Sequence, residues 1–213
     1  MKNILHSLLL IIFCLIFSNK CFAMINESDE SYLKKVETYI NSLQKISGRF
    51  TQNSSNGAKD AGKFYINKPG KMRLQYESPI LLVADGTSIV YEDKKLNQIS
   101  YISMSSNPAS IVLNGNITFT GKNPSVKVKS IEEREATTEI TLTTKNEKQS
   151  GTITLIFENK PLSFYGWRVR DAQGIVTEVK LSDIKPETYF DPSLFKITRN
   201  KTIGSNKSKS KYY

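Results

Sequence analysis

Apolar residues recur along this chain with two periods, a helical one near the amino terminus and a period of two almost everywhere after it. Over residues 28–45, Tyr32, Leu33, Val36, Tyr39, Ile40 and Leu43 fall on one helical face. Ser28 is placed to cap that helix, and Asp29 and Glu30 sit in its first turn, where the helix dipole favours acids. Such an apolar stripe needs a surface to cover.

A run of alternating segments from Ile46 onward supplies that surface. Ile46, Gly48 and Phe50 alternate with Ser47, Arg49 and Thr51, and after the turn-like Asn53-Ser54-Ser55-Asn56-Gly57 the set Gly62, Phe64 and Ile66 does the same. Met72, Leu74 and Tyr76 form a third strand. Ile80 to Ala84 is a short continuous apolar run, Asp85-Gly86 a hairpin turn, and Ile89 with Tyr91 the next strand. Ile99 and Tyr101 make one more. Pro108 to Leu113 then interrupts the alternation as a short apolar helix between a starting proline and the stop Asn114-Gly115. Strands resume through Val126 and Val128, Ile140 and Leu142, and Ile153, Leu155 and Phe157. A last hairpin sets Ser163–Arg170 against Ile175–Leu181 across Asp171-Ala172-Gln173-Gly174. About ten antiparallel strands with one apolar face curl towards a barrel, so the fold expected is mainly β, an incomplete antiparallel β-barrel lidded by short α-helices. Its interior is either a packed core or a cavity for an apolar ligand, and periodicity does not separate the two.

The first 23 residues stand apart from this pattern. Lys2 and Asn3 precede an unbroken apolar run from Leu8 to Phe17, and Cys21-Phe22-Ala23 offers a signal-peptidase site, so residues 1–23 are expected to be a cleaved signal peptide. The alternative, a membrane anchor, would need roughly 20 apolar residues. Cys14 follows Phe13 and Cys21 follows Lys20, neither of which suits a lipidation site. Residues 24–198 are then one domain in an exported protein.

Removing that leader changes the available chemistry. His6, Cys14 and Cys21 are the chain's only histidine and cysteines, so residues 24–213 contain neither type. Thiol nucleophiles, Ser-His-Asp triads, Cys/His zinc sites and histidine acid–base chemistry are all excluded. An enzyme would have to use carboxylates such as Asp85 and Asp93, for which no paired spacing exists; the protein is read as a non-enzyme needing no cofactor and no metal.

Charge is unevenly placed. The formal net charge is +10, but residues 199–213 hold Arg199, Lys201, Lys207, Lys209 and Lys211 with no acid, interleaved with serine and asparagine. This basic segment is expected to be a disordered tail, either solvated or touching anionic lipid headgroups. The body carries no basic stripe with stacking aromatics, so nucleic acid is not an expected partner.

An ordered set of segments now narrows the function. Gly48-Arg49-Phe50-Thr51-Gln52 is followed by Gly62-Lys63-Phe64-Tyr65-Ile66-Asn67-Lys68-Pro69-Gly70-Lys71-Met72-Arg73-Leu74-Gln75-Tyr76, by Pro79 and Val83-Ala84-Asp85-Gly86, and by Tyr91 to Gln98 before the helix at Pro108. In order and spacing this resembles the periplasmic outer-membrane lipoprotein carrier family, LolA, closely over the first half of residues 24–213 and loosely over the second. Asp191-Pro192-Ser193-Leu194-Phe195 is similar to that family's closing segment.

The resemblance implies a half-barrel whose apolar interior receives the acyl chains of lipoproteins, taken from an inner-membrane ABC transporter and passed to an outer-membrane acceptor by a monomeric carrier. The residues expected to line that cavity are Phe50, Phe64, Met72, Leu74, Ile89, Tyr91, Leu113 and Trp167. The family commonly has arginine directly before the proline, associated with hydrogen bonds that hold the lid shut; here Lys68 takes that place, keeping the charge without the planar fork. Lys68 is therefore the candidate gating residue, with a plain surface lysine as the alternative. A free-lipid carrier, an outer-membrane acceptor of the same fold and a module sensing mislocalised lipoproteins remain open; the acceptor would require a lipidated cysteine.

Overall fold

A computed structural model describes residues 27–143 and 151–197 of the 213-residue chain. The expected signal peptide and basic tail lie outside the described residues. Helix α1 spans Glu27–Ser42, three residues shorter at its end than its pattern suggests. It buries Leu33, Val36 and Ile40 completely or nearly so. Ser28, the expected cap, falls inside the helix, and its side chain is also outside the described residues.

Eleven strands come after the helix: β1 Lys45–Ser54, β2 Lys59–Asn67, β3 Lys71–Tyr76, β4 Ile80–Asp85, β5 Ser88–Asp93, β6 Gln98–Ser103, β7 Lys127–Glu133, β8 Thr137–Thr143, β9 Thr152–Asn159, β10 Leu162–Arg170 and β11 Val176–Pro186. They form one sheet in the order β6-β5-β4-β3-β2-β1-β11-β10-β9-β8-β7. Two meanders thus meet at the centre, where β1 pairs antiparallel with β11 and Phe50 lies opposite Leu181. The outer strands β6 and β7 stay unpaired with one another, so the barrel is incomplete, as its pattern suggests.

Residues 104–126 run from one open edge to the other and dip into the concave face. Here the lid departs from expectation: α1 is the only α-helix among the described residues, and Pro108–Leu113 is a 3-10 helix. The six residues from Pro108 to Leu113, stopped by Asn114-Gly115, leave little room for repeated i to i−4 bonds, and the turn closes with Asn114 N donating to Ile111 O at 3.2 Å. Asn107 caps its start, accepting from Ala109 N at 2.9 Å.

The core lies between the concave face and this lid. Leu33, Val36 and Ile40 of α1 join Ile111, Val112, Leu113 and Ile117 of the crossing segment in one cluster with Phe157 and Phe164. Polar ties fix the two lid pieces to each other: Asn41 donates to Ile117 O and accepts from Ile117 N, both at 2.8 Å, and Glu37 accepts from Phe119 N at 3.0 Å. Glycine shapes the sheet beneath. Gly48 sits opposite Phe64 and Phe50 opposite Gly62, so each ring lies across the neighbouring strand's glycine, where a Cβ would stand 2.7 Å and 2.9 Å from ring carbons.

The convex face is covered only locally. Leu81 and Val83 point outward and are buried with Phe195, packed by Tyr65, Phe190 and Leu194. This explains why Ile80 to Ala84 is apolar throughout: β4 buries both its faces. The closing segment is pinned by Arg73 Nη1 donating to Leu194 O at 3.1 Å.

Candidate functional site

Strands of both meanders and the lid surround a cavity of about 250 Å³ on the concave side. Met72 and Leu74 of β3, Leu82 of β4 and Ile89 of β5 form one wall; Trp167 and Val169 of β10 with Val179 of β11 form the other. Asn107 and Ala109 of the crossing segment close the top. These strand residues share one face because each is two apart from the next, except at β10. There a bulge between Phe164 and Gly166 resets the alternation, so Phe164 and Trp167, three residues apart, both turn inward and stack at 6.1 Å. Gly166 makes this possible: its φ is +151, and a Cβ would collide with the carbonyl oxygen of Val179.

The eight residues expected to line a cavity are divided by the structure. Met72, Leu74, Ile89 and Trp167 line it. Phe50, Phe64 and Leu113, each at most 1% exposed, belong to the packed core beside it. Tyr91 lies outside the lining, on the same face of β5 as Ile89 and opposite Leu82. The interior is thus a packed core at the α1 end and a cavity at the other.

Two residues not among those expected to line the cavity complete the site. Gln52 shares the phase of Phe50, and Tyr76 that of Leu74; both line the cavity. Tyr76 donates to Gln52 Oε1 at 2.9 Å, while the Phe50 ring meets Tyr76 edge-on at 5.0 Å. Burial, followed by the charge of Asp60, pushes the Tyr76 phenol well above its ordinary range, so it remains a protonated donor. The signal for Gln52 was its place in the alternation, but its polarity masked it. On the convex face a groove of similar size is walled by Arg49, Lys63 and Lys185, a lining unsuited to apolar cargo.

Lys68 occupies a buried junction. It is 7% exposed, and its Nζ donates to Ile40 O of α1 at 3.0 Å. Its backbone N donates to Gln44 O at 2.8 Å, and two residues on Gly70 N donates to Leu113 O at 2.8 Å. The β2–β3 turn therefore holds both lid pieces. Burial pulls the Lys68 amine down to about 8. Asp85 and Asp93 lie outside the cavity lining, and each accepts from backbone N–H groups of its own hairpin turn.

The chain is similar to several known proteins. A curated outer-membrane lipoprotein carrier protein of Cupriavidus pinatubonensis (strain JMP 134 / LMG 1197) is 25% identical over 183 residues, covering 77% of this chain and 82% of that one. An uncharacterised protein of Rickettsia prowazekii (strain Madrid E) is 34% identical over 121 residues, 56% of this chain; the chain spans 54% of that relative's length. Among solved structures, a LolA superfamily protein from Nitrosomonas europaea is 10% identical with a TM-score of 0.45, covering 77% of this chain and 97% of that one. The model of the family described as outer membrane lipoprotein carrier protein LolA matches residues 41–198, which take in the whole sheet, the crossing segment and Lys68. The chain belongs to the LolA family.

Proposed function

We propose that this protein is a non-enzymatic carrier that shelters acyl chains of lipoproteins in its concave interior. The observation that carries the reading is the apolar cavity between Met72, Leu74, Ile89 and Trp167, continuous with a lid held by few polar ties. Exposing one sixteen-carbon chain to water costs on the order of 12 kcal/mol at about 0.8 kcal/mol per methylene. Such cargo needs an apolar enclosure, and dispersion contacts without fixed direction let it leave again. The present cavity falls below the roughly 300–1,000 Å³ of common ligand pockets, so loading requires α1 and the crossing segment to lift. Lys68 is the gating residue in this reading because it ties α1 to the turn that also holds Leu113.

In the same reading residues 1–23 direct export and are removed, and the monomer works in the periplasm. It takes lipoproteins from an inner-membrane ABC transporter and hands them to an outer-membrane acceptor. The test is mass spectrometry of protein purified from the periplasm, which should reveal a co-purified acylated lipoprotein. In parallel, Trp167 is the chain's single tryptophan, so its fluorescence should shift to the blue as an acyl amphiphile displaces water from the cavity. Absence of both signals would overturn the carrier reading.

A further inference from the structure

The cavity is apolar except for a few side chains, and one of these has a hydrogen-bonding capacity that the fold leaves unused. Gln52 lines the cavity beside Leu74 and Val179. Its Oε1 accepts from the Tyr76 hydroxyl at 2.9 Å, and among the described residues its Nε2 has no partner. The amide has a fixed sense: the Tyr76 hydroxyl donates to Gln52 Oε1 and has no other acceptor among the described residues, so Gln52 presents its oxygen to Tyr76. What remains available to the cavity is an N–H donor on a central strand, positioned by a second residue. Asn107 across the cavity also has its oxygen taken, by Ala109 N, but it sits on the crossing segment that lifts on loading, whereas Gln52 stays on the sheet.

We infer that the Gln52 amide is a polar anchor that donates a hydrogen bond to the acyl carbonyl oxygen of the cargo, with Tyr76 as the residue that positions it. This rests on the carrier reading and adds to it a point of recognition: methylene contacts hold a chain without fixing its depth, whereas one donor in an apolar wall sets where the carbonyl stops. An ester or amide linkage offers acceptor oxygens and, in the ester, no donor, which matches a site whose spare group is a donor. A free carboxylate offers the same oxygens, so the probe set must separate the two sources.

Trp167 fluorescence titrations with methyl octanoate, methyl octyl ether and octanoate make the test. The first two differ only in the carbonyl. The wild-type protein should bind the ester roughly three- to tenfold more tightly than the ether, the span expected of one net hydrogen bond. Gln52→Leu should abolish that difference, and Tyr76→Phe should reduce it. If Gln52→Leu does not fold, Gln52→Glu, which keeps an oxygen for Tyr76 but removes the donor, is read the same way. Octanoate weaker than the ester supports an ester or amide cargo; octanoate tighter, with the gain lost in Gln52→Leu, supports the same anchor acting on free fatty acid. Equal affinity for ester and ether, or a preference that survives both Gln52 variants, overturns the anchor and leaves the carrier reading standing. No response to any probe overturns both.

Discussion

Lys68 reaches across from the β2–β3 turn to cap helix α1, its ammonium 3.0 Å from the carbonyl oxygen of Ile40. The last four carbonyls of a helix have no partner within it, and here each finds one. Tyr39 O accepts from Ser42 Oγ, Asn41 O from Gln44 Nε2 and Ser42 O from Gln44 N. Ile40 O alone depends on a residue distant in sequence. With no basic residue in the last turn of α1, Lys68 is also the cation that faces the negative end of the helix dipole.

That contact should make stability depend on pH with a defined sign. Burial lowers the folded Lys68 amine from 10.5 to about 8, so between these values the unfolded chain binds more protons and stability rises with pH. Below about pH 8 the cost of burying the charge is carried in full. Comparing urea unfolding at about pH 7 and about pH 10, the wild type should gain about 2 kcal/mol relative to Lys68→Met over that interval. Parallel profiles would show that the amine is not desolvated in solution.

Leu113 and Leu74 should respond differently to the same change. Leu113 is enclosed by the core, so Leu113→Ser leaves a void and an unpaired hydroxyl and should cost about 4 kcal/mol. Leu74 borders the cavity, where a serine hydroxyl can meet water; Leu74→Ser should cost about 2 kcal/mol and weaken binding of an acyl probe several-fold. Equal stability losses with unchanged binding would mean that the cavity does not fill.

The reciprocal packing of Gly62 and Phe50 predicts an intolerant position. A Cβ at Gly62 would collide with the Gln75 carbonyl and stand 2.9 Å from the Phe50 ring. Gly62→Ala should therefore destabilise by more than about 2 kcal/mol, measured by thermal melting. Near-normal stability would show that the β2–β3 pairing gives way easily.

Glu37 should contribute to acid sensitivity. Burial alone would raise its carboxyl, but hydrogen bonds from Lys34 and from Phe119 N outweigh it and hold the group below the usual range. A folded value below the unfolded one gives stability that is present above about pH 4.5 and is lost as the pH falls through the folded value. Glu37→Gln should flatten the loss between about pH 5 and about pH 3, at a cost of about 1 kcal/mol at neutral pH. An unchanged acid profile would argue against the link between α1 and Phe119.

Much of the architecture was legible because it rests on alternation, and the site was less so because it rests on exceptions to it. The stripe of Leu33, Val36 and Ile40 and the strands through Phe64, Leu74 and Ile89 come directly from spacing. The inward turn of both Phe164 and Trp167 does not, since it needs a bulge that no period of two announces. The division between core and cavity is also hidden in sequence: Phe64 and Met72 carry the same pattern, yet the first is packed in the core and the second borders the cavity. Gln52 shows the complementary blindness, a polar residue in an apolar phase. The outward burial of Leu81 and Val83 depends on the closing segment more than a hundred residues later.

The central position of β1 beside β11 has a consequence for how the molecule comes into being. A ribosome releases α1 and β1 early, yet β1 waits for Ser182 and Leu181, and α1 waits for Ile117 and for Phe164, whose N–H donates to the Tyr39 hydroxyl at 3.2 Å. Contacts this distant in sequence form late. The seam that joins first strand to last is then the final stitch, and a chain halted before residue 176 holds ten strands in two meanders with nothing to join them.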